Sequence, residues 1–196
     1  MIKRITRIDN EEIRAVEIKE VEGKPMIRGY AAVFNSPSQD LGGFVEYVRP
    51  GAFRNSLKNS QQKAFWNHNY DLVLGSTKNG TLRLFEDEIG LVYEIDPPDT
   101  QAGRDAIESI RRGDVDGTSF GFSVAKQGQE WDDAEPTNIK RYLTEVALFE
   151  ISPVAFPAYP ATSADVRELR STYQEYKESL LTGEKLKKIA VMQMEV

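Results

Sequence analysis

The chain carries one imidazole and no thiol, which narrows the chemistry that its side chains can perform. His68 is the only histidine, and the 196 residues include no cysteine. A thiolate nucleophile, a disulfide and a zinc site built on several histidines or cysteines are therefore excluded. Serine is a weak nucleophile at neutral pH and needs a base to accept its proton. Any Ser–His pair within this chain must therefore use His68.

Ser119 lies in a segment, Gly117-Thr118-Ser119-Phe120-Gly121-Phe122, that matches the G-x-S-x-G pattern of the α/β-hydrolase nucleophile elbow. That fold places its histidine after the serine, whereas His68 precedes Ser119, so the elbow is rejected. Alternation instead predicts a strand with two different faces. Its apolar core face carries Phe120, Phe122 and Val124, and its other face carries the small residues Ser119, Gly121 and Ser123.

Two interpretations of Ser119 remain open at this stage. Gly121 beside it would leave room for the backbone of a ligand to approach, which favours a nucleophile. The other interpretation, which is the commoner case, is a serine without function on the solvent-exposed face of an antiparallel strand. Ser123 shares that face and serves as the internal control.

His68 lies among aromatic residues in Phe65-Trp66-Asn67-His68-Asn69-Tyr70. Such a histidine is more often a hydrogen-bonded structural residue, and the functional interpretation is a general base. A base is usually oriented by a buried carboxylate. Glu145 and Glu150 are the candidates; on an unbroken strand they would face opposite sides, so only one would point at the site. Either could also be a solvated edge residue.

Short strands dominate the pattern of the elements that must position these residues. Strands are predicted at 14–21, 26–34, 44–48, 63–68, 81–85, 90–95, 118–125 and 139–151, with Pro153, Pro157 and Pro160 preventing further strand. Helical spacing predicts a short helix carrying Phe53 and Leu57, a helix at 100–112 closed by Gly113, and a helix at 163–181.

This organisation predicts a single α+β domain at 1–182, built on a mainly antiparallel β-barrel or strongly bent sheet with surrounding helices. The C-terminal helix at 163–181 carries an apolar stripe of Val166, Leu169, Tyr173, Tyr176 and Leu180. A flexible, lysine-rich tail is predicted at 183–196.

Composition excludes several classes of function. The chain has 25 basic and 31 acidic residues and a net charge of −6, which argues against nucleic acid as the main partner. No apolar run is long enough to span a bilayer, and we expect no secretory signal. A metal-dependent hydrolase using Asp96, Asp99 and His68 has no recognised ligand spacing, so no metal or cofactor is expected.

Five segments in order carry a family resemblance. They are Gly29-Tyr30-Ala31-Ala32-Val33-Phe34; Arg49-Pro50-Gly51-Ala52-Phe53; Asn67-His68 with Leu74-Gly75; Gly117-Thr118-Ser119-Phe120-Gly121-Phe122; and Glu145-Val146-Ala147-Leu148-Phe149-Glu150-Ile151-Ser152-Pro153-Val154 with Pro157-Ala158-Tyr159-Pro160. Over residues 27–161 this succession resembles the prohead (capsid maturation) proteases of HK97-type tailed phages. The family is similar in fold to the herpesvirus assembly protease, a β-barrel ringed by helices.

The resemblance implies site roles. It implies that Ser119 is the nucleophile and His68 the general base. The herpesvirus segment His-Val-Ala-Leu resembles residues 145–148, which implies Glu145 as third member and leaves Glu150 as the alternative. The same alignment places Pro153 and Val154 where the herpesvirus enzymes carry paired arginines near the oxyanion site. Pro153 has no N–H, so the Val154 N–H is the oxyanion candidate.

The resemblance also implies a function: a serine endopeptidase that cleaves the scaffolding segment of the major capsid protein, and itself, inside assembling proheads in the bacterial cytoplasm. Self-association, as a dimer, through the 163–181 stripe is a further hypothesis, and packing of that stripe on the barrel is its alternative. The tail after Gly183 is a candidate for self-cleavage or scaffold docking. The alternative function is a catalytically inactive structural or scaffold-binding domain of the prohead.

Overall fold

A computed structural model describes residues 6–8, 11–13, 15–38, 40–135, 138–157, 178 and 182. The strands are β1 (Thr6–Ile8), β2 (Glu11–Ile13), β3 (Glu17–Val21), β4 (Lys24–Val33), β5 (Val45–Val48), β6 (Lys63–Trp66), β7 (Asn69–Ser76), β8 (Leu82–Glu86), β9 (Gly90–Ile95), β10 (Gly117–Val124), β11 (Gln129–Asp132), β12 (Lys140–Leu143) and β13 (Val146–Val154). The helices are α1 (Arg54–Asn59) and α2 (Gln101–Arg112), and a 3-10 turn spans Thr77–Asn79.

The described strands form four sheets. Their orders are β3-β4-β9-β8, β10-β13-β6-β7, β11-β12-β5 and β1-β2. Pairing is antiparallel except between β12 and β5 and between β13 and β6, which are parallel. The described part of the chain is mostly β with few helices, which is compatible with the predicted α+β class. Its sheets are open, and a closed barrel is not found among these strands.

The main core lies between these sheets and the two helices. Its largest fully buried side chains include Tyr93, Phe53, Leu74 and Ile151. Phe120 packs edge-to-face on Phe53, with ring centroids 5.7 Å apart, so the predicted core face of β10 is confirmed. Because alternate residues of a strand face opposite ways, Ser119 and Gly121 lie on the other face of β10.

Helix α2 ends at Gly113, as the sequence predicts. Thr100 caps α2 by accepting a hydrogen bond from the Gly103 N–H, and Gly113 closes it with a left-handed φ of 75°. At α1, the carboxylate of Glu86 accepts a hydrogen bond from the Phe53 N–H just before the helix. This contact fixes α1 to β8 and leaves its other side against β13.

Four differences from the predicted elements affect the site. Strand β6 ends at Trp66 because 67–68 form a turn, and the strand at 69–76 was not predicted. The predicted strand 139–151 is two strands, with 144–145 between them. Pro153 lies inside β13. Its C=O accepts a hydrogen bond from the Asn67 N–H, on the edge of β13 that faces the 67–68 turn. Proline lacks an N–H, but no ladder bond is lost at that edge. The predicted helix 163–181, apart from residue 178, and the predicted tail 183–196 fall outside the described residues.

A buried ion pair holds the small sheet β11-β12-β5 together. Arg141 contacts Glu46 at 3.0 Å and Gln129 at 2.8 Å, and both charged side chains are nearly inaccessible to solvent. Glu46→Gln leaves the arginine buried without its counter-charge, so we expect the free energy of unfolding to fall by about 3–5 kcal/mol.

Chemical denaturation of Glu46→Gln measures this effect. The matched control is Asp99→Asn, which removes the exposed pair between Asp99 and Arg104 and should cost no more than about 1 kcal/mol. Equal losses for the two variants would contradict the assignment of Glu46 and Arg141 as a structural pair.

Candidate active site

His68 is the second residue of a two-residue hairpin turn between β6 and β7. Trp66 pairs with Asn69, and both intervening residues have positive φ, 53° at Asn67 and 58° at His68. This is the type I′ geometry that matches the twist of two strands, and asparagine favours its first position. Glycine is favoured at the second position, so His68 has a backbone conformation that residues other than glycine seldom adopt.

Two hydrogen bonds to β13 hold this turn. The Asn67 N–H donates to the Pro153 carbonyl over 3.1 Å, and the His68 N–H donates to the Ser152 hydroxyl over 3.3 Å. Surrounding structure must compensate the strain of two left-handed residues, and these bonds do so. The imidazole is thereby fixed over β13.

The His68 ring contacts the carboxylate of Glu150. Its Nδ1 lies 2.8 Å from Oε1 of Glu150, and the carboxylate is 5% exposed. The other carboxylate oxygen, Oε2, accepts a hydrogen bond of 2.7 Å from the hydroxyl of Ser152. A carboxylate held on both oxygens favours the imidazole tautomer with its proton on Nδ1, which leaves Nε2 as the basic nitrogen.

A β-bulge turns Glu150 toward His68. Gly121 of β10 pairs with Glu150, but the next residue, Phe122, pairs with Leu148, so β13 contains one extra residue, Phe149. Leu148 is buried in the core. Without the extra residue, Glu150 would share the core face with Leu148, because it is two positions away.

Ser56 of α1 fixes the bulge. Its hydroxyl accepts a hydrogen bond from the Leu148 N–H over 2.8 Å and lies 3.3 Å from the Leu148 carbonyl. The backbone of Leu148 thus bonds to α1 on the edge of β13 that β6 does not reach. This contact links the short helix to the placement of Glu150.

Ser119 lies directly across from Ser152 in the pairing of β10 with β13. Directly opposed residues of an antiparallel pair project from the same face. Ser119, Gly121, Glu150 and Ser152 therefore share one face, over which the His68 turn is anchored. Ser119 is only 2% exposed, whereas Ser123 on the same face of β10 is exposed.

Gly121 makes room for Glu150. A methyl group at Gly121 would lie 2.8 Å from Oε1 of Glu150, the oxygen that contacts His68. The sequence predicted that this space would admit the backbone of a ligand; in the structure the carboxylate occupies it.

Gly121→Ala should therefore uncouple Glu150 from His68. The end of a glutamate side chain can move aside, so we expect a small change in melting temperature but a fall in catalytic rate of about 10–100-fold. Rate and melting temperature measured on the same preparation check this. An unchanged rate would show that the contact between Glu150 and His68 is not required.

Glu145 lies away from His68. It precedes β13 and accepts a hydrogen bond from the Asn55 side chain over 2.8 Å, and the residue is half-buried. The premise that placed Glu145 and Glu150 on one unbroken strand is wrong, because β13 begins at Val146 and contains the bulge. The structure thus brings Glu150, the alternative candidate, to His68, and does not bring Glu145 there.

Val154 lies in the ladder between β13 and β10. The Pro153 carbonyl points away from β10, toward Asn67, so the backbone groups of the next residue face β10. Val154 pairs there with Gly117 and is 1% exposed. Its N–H could serve an oxyanion only by leaving this pairing.

A buried tyrosine supports β10 beside Ser119. The hydroxyls of Tyr93 and Thr118 lie 2.9 and 2.7 Å from the Ala15 carbonyl and 2.8 Å from each other. Burial raises the pKa of the Tyr93 hydroxyl well above its ordinary value, so it stays protonated and can donate. This cluster fixes the residue next to Ser119, and sequence reasoning did not predict it.

The described residues give no ligand set for a metal. They contain no group of three or more histidine, aspartate or glutamate side chains that could hold an ion. Asp96 is instead paired with Arg83, whose hydrogen bond lowers the pKa of the Asp96 carboxyl. In this part of the chain, likewise, no helix is both long and apolar enough to cross a membrane.

The arrangement supports nucleophilic chemistry. Ser119 and Glu150 lie on one face of a sheet, and Glu150 contacts the imidazole of His68. A buried carboxylate on an imidazole is the contact that a base for a hydroxyl nucleophile needs. Sequence reasoning missed Ser152, Ser56 and the bulge. Only the asparagine at 67, followed by a strand-forming segment, signalled the turn.

Comparison with known proteins gives two matches. A family model described as caudovirus prohead serine protease matches residues 11–178. The prohead protease of Enterobacteria phage HK97 is 36% identical over 143 residues, which are 70% of this chain and 58% of that protein. The chain thus spans less than two thirds of the length of this relative. No solved structure matches it significantly.

Proposed function

Because this chain belongs to the caudovirus prohead serine protease family, we propose that it is a serine endopeptidase whose triad is Ser119, His68 and Glu150. The contact that carries the proposal is the 2.8 Å approach of Glu150 Oε1 to His68 Nδ1. A buried carboxylate in this position is what an imidazole base requires. The register of β10 and β13 supports Ser119 as the nucleophile, because it puts that residue across from Ser152.

The steps follow from these positions. The Ser119 Oγ attacks the peptide carbonyl and forms an O–C bond while Nε2 of His68 takes the hydroxyl proton. His68 then gives that proton to the leaving amine as the C–N bond breaks. Water, deprotonated by the same nitrogen, hydrolyses the acyl-enzyme and regenerates Ser119. Glu150 stays ionised throughout and stabilises the imidazolium.

We propose the scaffolding segment of the major capsid protein as substrate, cut inside assembling proheads, with self-cleavage as a second reaction of the same site. An extended segment can add to a sheet edge, and β10, which carries Ser119, is an edge strand of its sheet. A barrel completed as in the herpesvirus assembly protease, and self-association through 163–181, belong to the same proposal.

One observation favours a second candidate function. Ser119 is only 2% exposed, which suits a catalytically inactive structural or scaffold-binding domain of the prohead. In the peptidase proposal, neighbouring residues move aside before a substrate or probe reaches Ser119.

Co-expression with the major capsid protein separates the two functions. The peptidase shortens the capsid protein to a discrete product, identified by intact mass. A capsid protein that keeps its full mass in proheads containing this chain favours the inactive domain.

A further inference from the structure

We infer that Ser152 is a positioning residue that sets the tautomer of His68, an inference that rests on the proposed function. Its hydroxyl makes two contacts at the site: it donates to Oε2 of Glu150 over 2.7 Å and accepts from the His68 N–H over 3.3 Å. Ser152 is fully buried, and the contacts of its hydroxyl go to Glu150 and His68. It acts through the two residues that it bonds.

The direction of the Ser152 hydroxyl proton follows from these two contacts. The backbone N–H of His68 can only donate, so the oxygen of Ser152 is the acceptor there. The hydroxyl has one proton, and it points at the Glu150 carboxylate. The Ser152 hydroxyl therefore requires a hydrogen-bond acceptor at the Oε2 position of residue 150.

The direction of this proton determines which group of residue 150 faces Nδ1 of His68. With an ionised Glu150 both oxygens accept, so the side facing His68 takes the Nδ1 proton. With glutamine at 150, the Ser152 proton would hold the amide oxygen on its own side and turn the amide NH2 toward Nδ1. The imidazole would then carry its proton on Nε2, the nitrogen that must accept the proton of Ser119.

The sole histidine makes this measurable without any substrate. Nitrogen-15 spectra of the imidazole, taken where it is neutral, report the tautomer of His68 directly, because no other histidine contributes. The wild type should be mostly protonated on Nδ1. Ser152→Ala should give a mixture of the two tautomers, since the carboxylate and the turn each lose one anchor.

The double variant gives the decisive contrast. Glu150→Gln should be protonated mainly on Nε2. Adding Ser152→Ala removes the constraint on the amide, so the Nδ1-protonated share should rise again. A residue that merely stabilised the fold would move the tautomer in the same direction in both backgrounds, and that result, or no change in either, would overturn the inference.

Kinetics give a second readout. Inactivation by a fluorophosphonate probe forms a bond between serine oxygen and phosphorus and releases fluoride, with the serine proton passing to His68. Ser152→Ala should slow the maximal inactivation rate about 10–100-fold and leave the half-saturating probe concentration unchanged. Equal changes in both, or no change, would contradict the inference.

Ser76→Ala is the matched control. Ser76 is a buried serine of β7 in the same sheet, so its loss tests the general cost of removing a buried hydroxyl. We expect wild-type tautomer and inactivation rate. If wild-type protein cleaves no capsid protein but the tautomers respond as described, the proposed function fails and the positioning role stands; the reverse result rejects only the role of Ser152.

Discussion

Replacing either Ser119 or His68 with alanine should abolish processing of the co-expressed capsid protein. Loss of the nucleophile or of its base removes the covalent route altogether, and in serine proteases such losses lower the rate by at least about 10⁴-fold. Ser119 shares one face of the sheet β10-β13-β6-β7 with Glu150, the carboxylate that contacts His68. The measurement is the fraction of capsid protein converted over time, by intact mass.

The control for this result is Ser123→Ala. Ser123 lies on the same strand and face as Ser119 but is exposed and pairs with Ala147, away from Glu150. We expect near-wild-type processing. Equal loss in this variant, or retained processing in Ser119→Ala, would mean that β10 does not supply the nucleophile.

Replacing Glu150 with glutamine should cost about 10⁴-fold in rate while leaving the fold intact. The substitution keeps the shape and removes the charge that stabilises the imidazolium. In addition, the Ser152 hydroxyl donates to the position of Oε2, so the amide NH2 would face His68 Nδ1. The wrong tautomer and the lost charge act in the same direction. Rates and melting temperatures of purified protein measure the effect.

Glu145→Gln is the matched comparison, because the resemblance to the herpesvirus enzymes implied Glu145 as the third member. In the structure its carboxylate accepts a hydrogen bond from the Asn55 side chain, and the residue is half-buried. We expect at most a several-fold change in rate. A larger loss for Glu145→Gln than for Glu150→Gln would return the role to Glu145.

Much of the local structure follows from the sequence. Alternation predicts β10 and its two faces, and the packing of Phe120 on Phe53 confirms the core face. The cap at Thr100 and the left-handed Gly113 mark α2. These features depend on neighbours along the chain, which periodicity and capping preferences describe well.

The contact between Glu150 and His68 could not be predicted in this way. Alternation assigns residues to faces only on an unbroken strand, and the extra residue Phe149 moves Glu150 to the opposite face from the one that alternation predicts. The bulge depends on Ser56, which lies 92 positions from Leu148 along the chain. Likewise, His68 reaches Glu150 through a turn held by β13. Both contacts are long-range, and strand patterns carry no signal for them.

Mapping the serine that a fluorophosphonate probe modifies in the wild-type protein, by peptide mass spectrometry, tests the assignment of Ser119 as the nucleophile. This assignment predicts a single adduct on Ser119, formed at least about 10³-fold more slowly in His68→Ala. An adduct on another serine, or labelling of Ser119 at the same rate with and without the imidazole, would contradict it.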